Sequence, residues 1–218
     1  LQLDNITVLD FETSGLDPAR DRVIEMAAIR CYGGEIVSQF NTLIRFDGVL
    51  PSKITEITGI SSADLIHGMD EETAFRILNR LIGDSTIVAH NAMFDLSFLH
   101  HALLRLANRS FNNSFLDTLT ISRARHPYPH NLKEMCDRYG IVLEGAHRSL
   151  NDVYACWKLL EKMNEEQSVE NDLNVLGYMK NTECPSGIPS MRAWCRSRLN
   201  MRINNIRPEG YCYAPSGF

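Results

Sequence analysis

Apolar and polar positions along the chain fall into stretches of distinct period. Ile6 to Leu9 is an apolar run leading into the turn Thr13-Ser14-Gly15, and it predicts a first buried strand. Arg22 to Arg30 holds Val23-Ile24-Glu25-Met26-Ala27-Ala28-Ile29, a second strand with small residues. Tyr32-Gly33-Gly34-Glu35 predicts a hairpin turn, and Ile36 to Phe46 a third strand alternating in part at Phe40, Leu43, Ile44 and Phe46. Leu50-Pro51 opens a loop and short helix through Ile57, and Ser61-Ser62-Ala63-Asp64 resembles a helix start. Over 71–82 the period becomes helical, with Phe75, Leu78, Leu81 and Ile82 on one face. Thr86 to His90 is a short apolar strand, as expected where both faces are covered. Ala92 to Ala107 predicts an amphipathic helix with Phe94, Phe98, Leu99, Leu103 and Leu106 inward. Phe115 to Leu119 reads as a short strand or strand end, Pro127 and Pro129 bound a loop, and Leu132 to Tyr139 is a helix stopped by Gly140. Arg148 to Asn164 is a last helix, burying Val153, Cys156, Trp157, Leu160 and Met163.

A meander of three strands followed by alternating helices and strands predicts an α/β fold, a mixed central sheet flanked by helices. From about Asn174 the periodic signal fades and Gly, Pro, Ser and Arg accumulate. The expected division is a domain over 1–168 and a basic, irregular extension over 169–218.

Composition adds little beyond a globular class: 218 residues, 44% hydrophobic and 22% charged. No apolar run approaches the roughly 18 residues of a membrane span, so no membrane partner is expected, and no secretory leader opens the chain. Leu1 stands almost directly before the first strand, and an excised part of a larger parent chain is expected. The six cysteines form no C-x-x-C pair, and Cys136 and Cys156 lie in apolar-periodic segments, so a reducing, cytoplasmic setting is expected. The net charge of −5 is uneven. Residues 176–218 hold six basic and two acidic side chains, and 1–175 hold 16 and 25, so an acidic body (−9) carries a basic tail (+4). Global charge therefore neither announces nor excludes a polyanion.

The chemistry starts at the first strand. Asp10 and Glu12 are two apart and share one face. Their mutual repulsion is relieved by a divalent cation with hard oxygen ligands, although a solvated strand end reads the same way. Downstream, His90-Asn91-Ala92-Met93-Phe94-Asp95 lies where a strand runs into a helix, with Asp95 in the first turn. An acid there is also favoured by the helix dipole alone. His147-Arg148-Ser149-Leu150-Asn151-Asp152 opens the last long helix, with Asp152 projecting from it.

In this order, D-F-E-T-S-G-L, H-N-A-M-F-D and H-R-S-L-N-D resemble the DEDDh 3′–5′ exonuclease family, of the proofreading type found with bacterial replicative polymerases. Leu50-Pro51, Thr58-Gly59-Ile60 and Ala89-His90-Asn91 share in the resemblance, which covers about 4–165. It implies an RNase H-like fold, release of nucleoside monophosphates from DNA 3′ ends, and catalysis by Asp10, Glu12, Asp95, His147 and Asp152. The four carboxylates would hold two Mg²⁺ or Mn²⁺ ions about 4 Å apart, and His147, with an imidazole pKa of about 6.5, would take the proton of the attacking water. Thr13, Gly15 and Leu16 are implied contacts of the terminal nucleotide, and His90, Asn91 and Phe94 lie beside the scissile phosphate and next base. Phe94 is equally well explained as core packing. Thr58 departs from the family, many members of which carry a histidine there, so the terminal-nucleotide pocket differs in detail.

Implied partners are single-stranded DNA or a duplex 3′ end, and a DNA polymerase. The same chemistry on RNA ends is an alternative, as is a non-cutting binding module, against which the presence of all five residues counts. In the extension, Arg192, Arg196 and Arg198 near Trp194 read as a cluster that tracks a phosphate backbone or docks a partner or, more simply, as a solvated helix surface whose Trp194 packs on the catalytic domain. Cys184, Cys195 and Cys212 lack the close pairs of a zinc site.

Overall fold

The computed structural model describes residues 3–143 and 149–176, together with the backbone of Met201–Arg202. Five strands form one mixed sheet in the order β3-β2-β1-β4-β5: β1 Asn5–Thr13, β2 Val23–Tyr32, β3 Glu35–Leu43, β4 Thr86–Ala89 and β5 Phe115–Asp117. β1, β2 and β3 form the antiparallel meander, and β4 and β5 add parallel strands on the other side of β1. Gly33 and Gly34 close the β2–β3 hairpin at φ of 60° and 83°, a left-handed pair that only residues without Cβ adopt freely.

The helices are α1 Ser52–Thr58, α2 Ser62–Leu65, α3 Glu71–Ile82, α4 Ala92–Ala107, α5 Thr118–Arg125, α6 Leu132–Arg138 and α7 Ser149–Glu166. β1 divides the core. Leu9 and Phe11 pack with α3 and α4 on one face, while Ile6 and Val8 pack with α5, α6 and α7 on the other. A smaller cluster of Ile24, Leu50, Ile60 and Leu65 holds α1 and α2 against the meander.

Three local expectations are corrected. The third strand ends at Leu43 rather than Phe46, because Ile44 leaves the ladder and bridges to Met69. Leu119 is not in a strand: Asp117 caps α5 by accepting from Leu119 N–H, and α5, only eight residues of mixed character, carries no clear period in sequence. Beyond α7 the chain is not yet irregular. Val169 is buried in the α7-side core and Leu176 in the other, while Asn174 pairs both ways with the backbone of Phe115. A short strand, β6 Val175–Leu176, then pairs with β7 Met201–Arg202. The Arg192–Arg198 cluster, Trp194 and Cys184, Cys195 and Cys212 lie outside the described residues.

Candidate active site

Strand parity sets the first two carboxylates. Asp10 and Glu12 continue the row of Ile6 and Val8, so they emerge on the α7 face once the strand runs out of apolar residues. The first turn of α7 brings Asp152 to them, and one oxygen from each of Asp10, Glu12 and Asp152 lies within 4.8 Å of the others. The β1–β2 register shifts between Glu12 and Thr13, a bulge that turns the strand end.

Asp95 arrives from the opposite face on α4. It is buried, and its Oδ1 accepts the Phe11 N–H at 3.0 Å, which locks α4 to β1 between the two strand carboxylates. It lies outside the 4.8 Å set but lines the same cavity, of about 450 Å³, as Asp10, Glu12 and Asp152. His90, Asn91 and Phe94 also line that cavity. Asn131, Leu132, Lys133 and Leu143 line it as well, and sequence reasoning missed them because neither a helix start following a proline loop nor the segment after that helix is marked as facing a site.

Crowded carboxylates perturb one another. Burial first, and then the Asp152 charge, push Asp10 up to about 7, with Glu25 adding to the rise and the Ser149 hydroxyl opposing it. Burial and the Asp10 charge likewise hold Asp95 well above the usual carboxylate range, against the pull of the Phe11 N–H. Glu25 was not singled out from sequence. It is buried on β2 directly across from Glu12, and it accepts from Ser149 Oγ at 3.5 Å and from Asn41 Nδ2 at 3.4 Å.

His90 is tied on both sides. Its Nε2 lies 2.9 Å from the carbonyl of His130, which can only accept, and its Nδ1 lies 2.9 Å from Thr118 Oγ1. The carbonyl partner makes Nε2 the donor, and burial lowers the ring's pKa. His90 thus joins the end of β4 to the loop that leads into α6.

The remaining expected contacts stand apart from the cavity lining. Thr13 Oγ1 donates to Gly15 O at 2.6 Å, and a Cβ on Gly15 would come within 2.3 Å of the Asp21 carboxylate, which would have to shift and loosen its bond to Asp17 N–H. Leu16 is 82% exposed beside that turn. Thr58 is buried, donating to Ile54 O and accepting from Ile60 N–H within its own helix end. His147 lies outside the described residues.

A family model described as "Exonuclease" (RNase_T) matches residues 7–160. Among curated relatives, the PolC-type DNA polymerase III of Bacillus cereus is 35% identical over 162 residues, 73% of this chain and 11% of that protein. Its Bacillus subtilis counterpart is 32% identical over 201 residues, 91% of this chain and 14% of that protein. The chain therefore spans only a small part of these relatives' length. Among solved structures, exonuclease I superposes with a TM-score of 0.68 at 23% identity, over 75% of this chain and 41% of that one. Exonuclease I of E. coli with a dA16 oligonucleotide does so with a TM-score of 0.68 at 22% identity over the same shares. These two likenesses speak for the fold, an RNase H-like α/β sheet. On its carboxylate motifs, their meeting at the end of β1 and the family match over most of its length, the chain belongs to the DEDDh 3′–5′ exonuclease family.

Proposed function

We propose that this chain hydrolyses phosphodiester bonds at the 3′ end of DNA, releasing nucleoside monophosphates with divalent cations. The observation that carries the reading is the meeting of Asp10, Glu12 and Asp152, beside Asp95, in one cavity. The donor set fits Mg²⁺ or Mn²⁺, being all hard oxygens. Burial first and then the Asp152 charge raise Asp10 to about 7, and a cation between these groups would favour the ionised carboxylate against both. Asp10, Glu12, Asp95 and Asp152 are the residues that would hold two ions. When bound, such ions stabilise developing charge on phosphate oxygens and lower the pKa of water.

The chain's own residues do the rest. An imidazole nitrogen of His147 takes the proton of the attacking water near neutral pH. Phe94, half-buried at the cavity wall, offers a ring face on which any base can stack. Leu16 offers exposed apolar surface to the terminal base, and Thr13 and Gly15 shape the turn that presents it. Lys133, the cation among the described lining residues, faces the polyanion. The division expected from sequence, an exonuclease domain over 1–168 and a basic extension over 169–218, belongs to this reading with residues 169–176 packed onto the domain, as does a replicative polymerase as the larger parent chain, which the PolC-type relatives support.

A 5′-labelled DNA oligonucleotide, alone and as a recessed 3′ end, tests the reading with Mg²⁺ or Mn²⁺ and with EDTA. The expected result is a ladder shortening from the 3′ end, abolished by EDTA and by Asp10→Ala. A ladder on matched RNA but not on DNA would move the substrate to RNA, and no cleavage of either would overturn catalysis. His147→Ala is expected to lower turnover by roughly 10²–10⁴-fold while Mn²⁺ still binds, as titrated by calorimetry.

A further inference from the structure

We infer that Asp117 is a positioning residue for the active site, fixing the start of α4 so that Asp95 stands in register with Asp10. The inference rests on the metal-dependent reading above. Asp117 ends β5 opposite Ala89 of β4, and its side chain is almost wholly buried. Its carboxylate gathers four donors from two segments, the start of α4 and the first turn of α5. Oδ1 accepts Asn91 N–H at 2.9 Å, Ala92 N–H at 3.1 Å and Leu119 N–H at 3.1 Å, and Oδ2 accepts Thr120 Oγ1–H at 2.6 Å.

Two of those donors are the orphan amides at the start of α4. No side chain of α4's own N-cap satisfies them: Asn91 makes no capping bond and stands in the left-handed region at φ 77° and ψ 49°. That conformation costs energy for a residue with a Cβ and persists only when its surroundings hold it. Asp117 supplies the hold. The consequence reaches Asp95 in one helical turn: Phe94 N–H closes the first turn on Asn91 O at 2.9 Å, and the next residue presents its carboxylate to Phe11 N–H. A buried anion accepting several amides is a rigid anchor, because charge-assisted bonds are about twice as strong as neutral ones.

Asp117→Asn tests this in the full 218-residue chain. It keeps size and one carbonyl oxygen, removes the charge, and forces the Thr120 hydroxyl to turn. Calorimetric titration with Mn²⁺, without nucleic acid, is expected to show affinity lowered about tenfold. Turnover on a DNA oligonucleotide at saturating Mn²⁺ is expected to fall about tenfold or more, with KM changed less than about threefold. Hydrogen exchange of the amides at 91–95 is expected to speed up. A purely architectural Asp117 would lower the melting temperature while the folded protein bound Mn²⁺ and cut DNA like the parent, and that result overturns the inference. If Asp117→Asn does not fold, Thr120→Val decides: it removes the Oδ2 donor and keeps the Asp117 charge, and unchanged Mn²⁺ affinity and turnover overturn the inference. A parent chain that itself neither binds Mn²⁺ nor cuts would overturn the proposed function and this inference with it. A working parent with an unaffected folded variant overturns the inference alone.

Discussion

Asp10 shows how a side chain favourable to function is unfavourable to the fold. Its carboxyl ionises in the unfolded chain near the usual 3.8 but in the folded chain only near 7, because burial and Asp152 disfavour the charge. Between those values the folded state binds more protons than the unfolded one, so folding stability falls as pH rises from about 4 through about 7. Thermal melts of the metal-free protein across that window are expected to show the fall, and saturating Mg²⁺ to flatten it. Asp10→Asn removes one member of the repelling set. In EDTA it is expected to melt above the parent chain, while its cleavage of an oligonucleotide drops by roughly 10³-fold or more. A variant that gained stability without losing activity would sink the metal assignment.

The element that carries Asp152 is fixed at both ends. At its start Ser149 is buried against Glu25 of β2. Near its end Arg125 of α5 donates to the carbonyls of Met163, Gln167 and Ser168 and pairs with Asp172 at 3.0 Å. Both partners of that pair are largely shielded, with side-chain exposures of 11% and 16%. Arg125→Ala takes the donor from the carbonyl of buried Met163 and from the shielded Asp172 carboxylate, and it is expected to cost about 1–3 kcal/mol in urea denaturation. Met163 lies roughly 16 Å along the helix from Asp152, so turnover of the folded variant is expected to stay within about twofold. At this scale α4, α6 and α7 were legible in sequence nearly to the residue, because each repeats an apolar face over two turns or more. α5 was not: it is short, and its start depends on Asp117, a cap that also reads as a strand residue.

For the whole molecule, charge is the governing quantity. A polyanion approaching a body of net −9 depends on cations, whether bound at the carboxylates or carried by side chains such as Lys133. The pairing of Lys133 with Asp137 at 3.2 Å is exposed and weak, so it does not hold the ammonium back from a phosphate. Lys133→Ala is expected to raise KM for single-stranded DNA severalfold with kcat little changed, and to lessen the salt dependence of binding by about 0.7 in log–log slope. Fluorescence anisotropy across a salt series with Ca²⁺ in place of Mg²⁺ measures that slope, and an unchanged slope would remove Lys133 from the interface.

The order of strands and helices, and the carboxylates to watch, were legible in the residues alone. Period and turn chemistry act over a few residues, and the D-x-E, H-x₄-D and strand-to-helix spacings survive in one dimension. Tertiary structure alone decided that Ile6, Val8, Asp10 and Glu12 share the α7 face, that Asp95 enters from the other side, and that Glu25, Asp117 and the 131–133 wall converge on the same end of β1. Those relations depend on which strand lies beside which and on bonds between residues tens of positions apart. No local pattern encodes them, and they exist only once the chain has closed on itself.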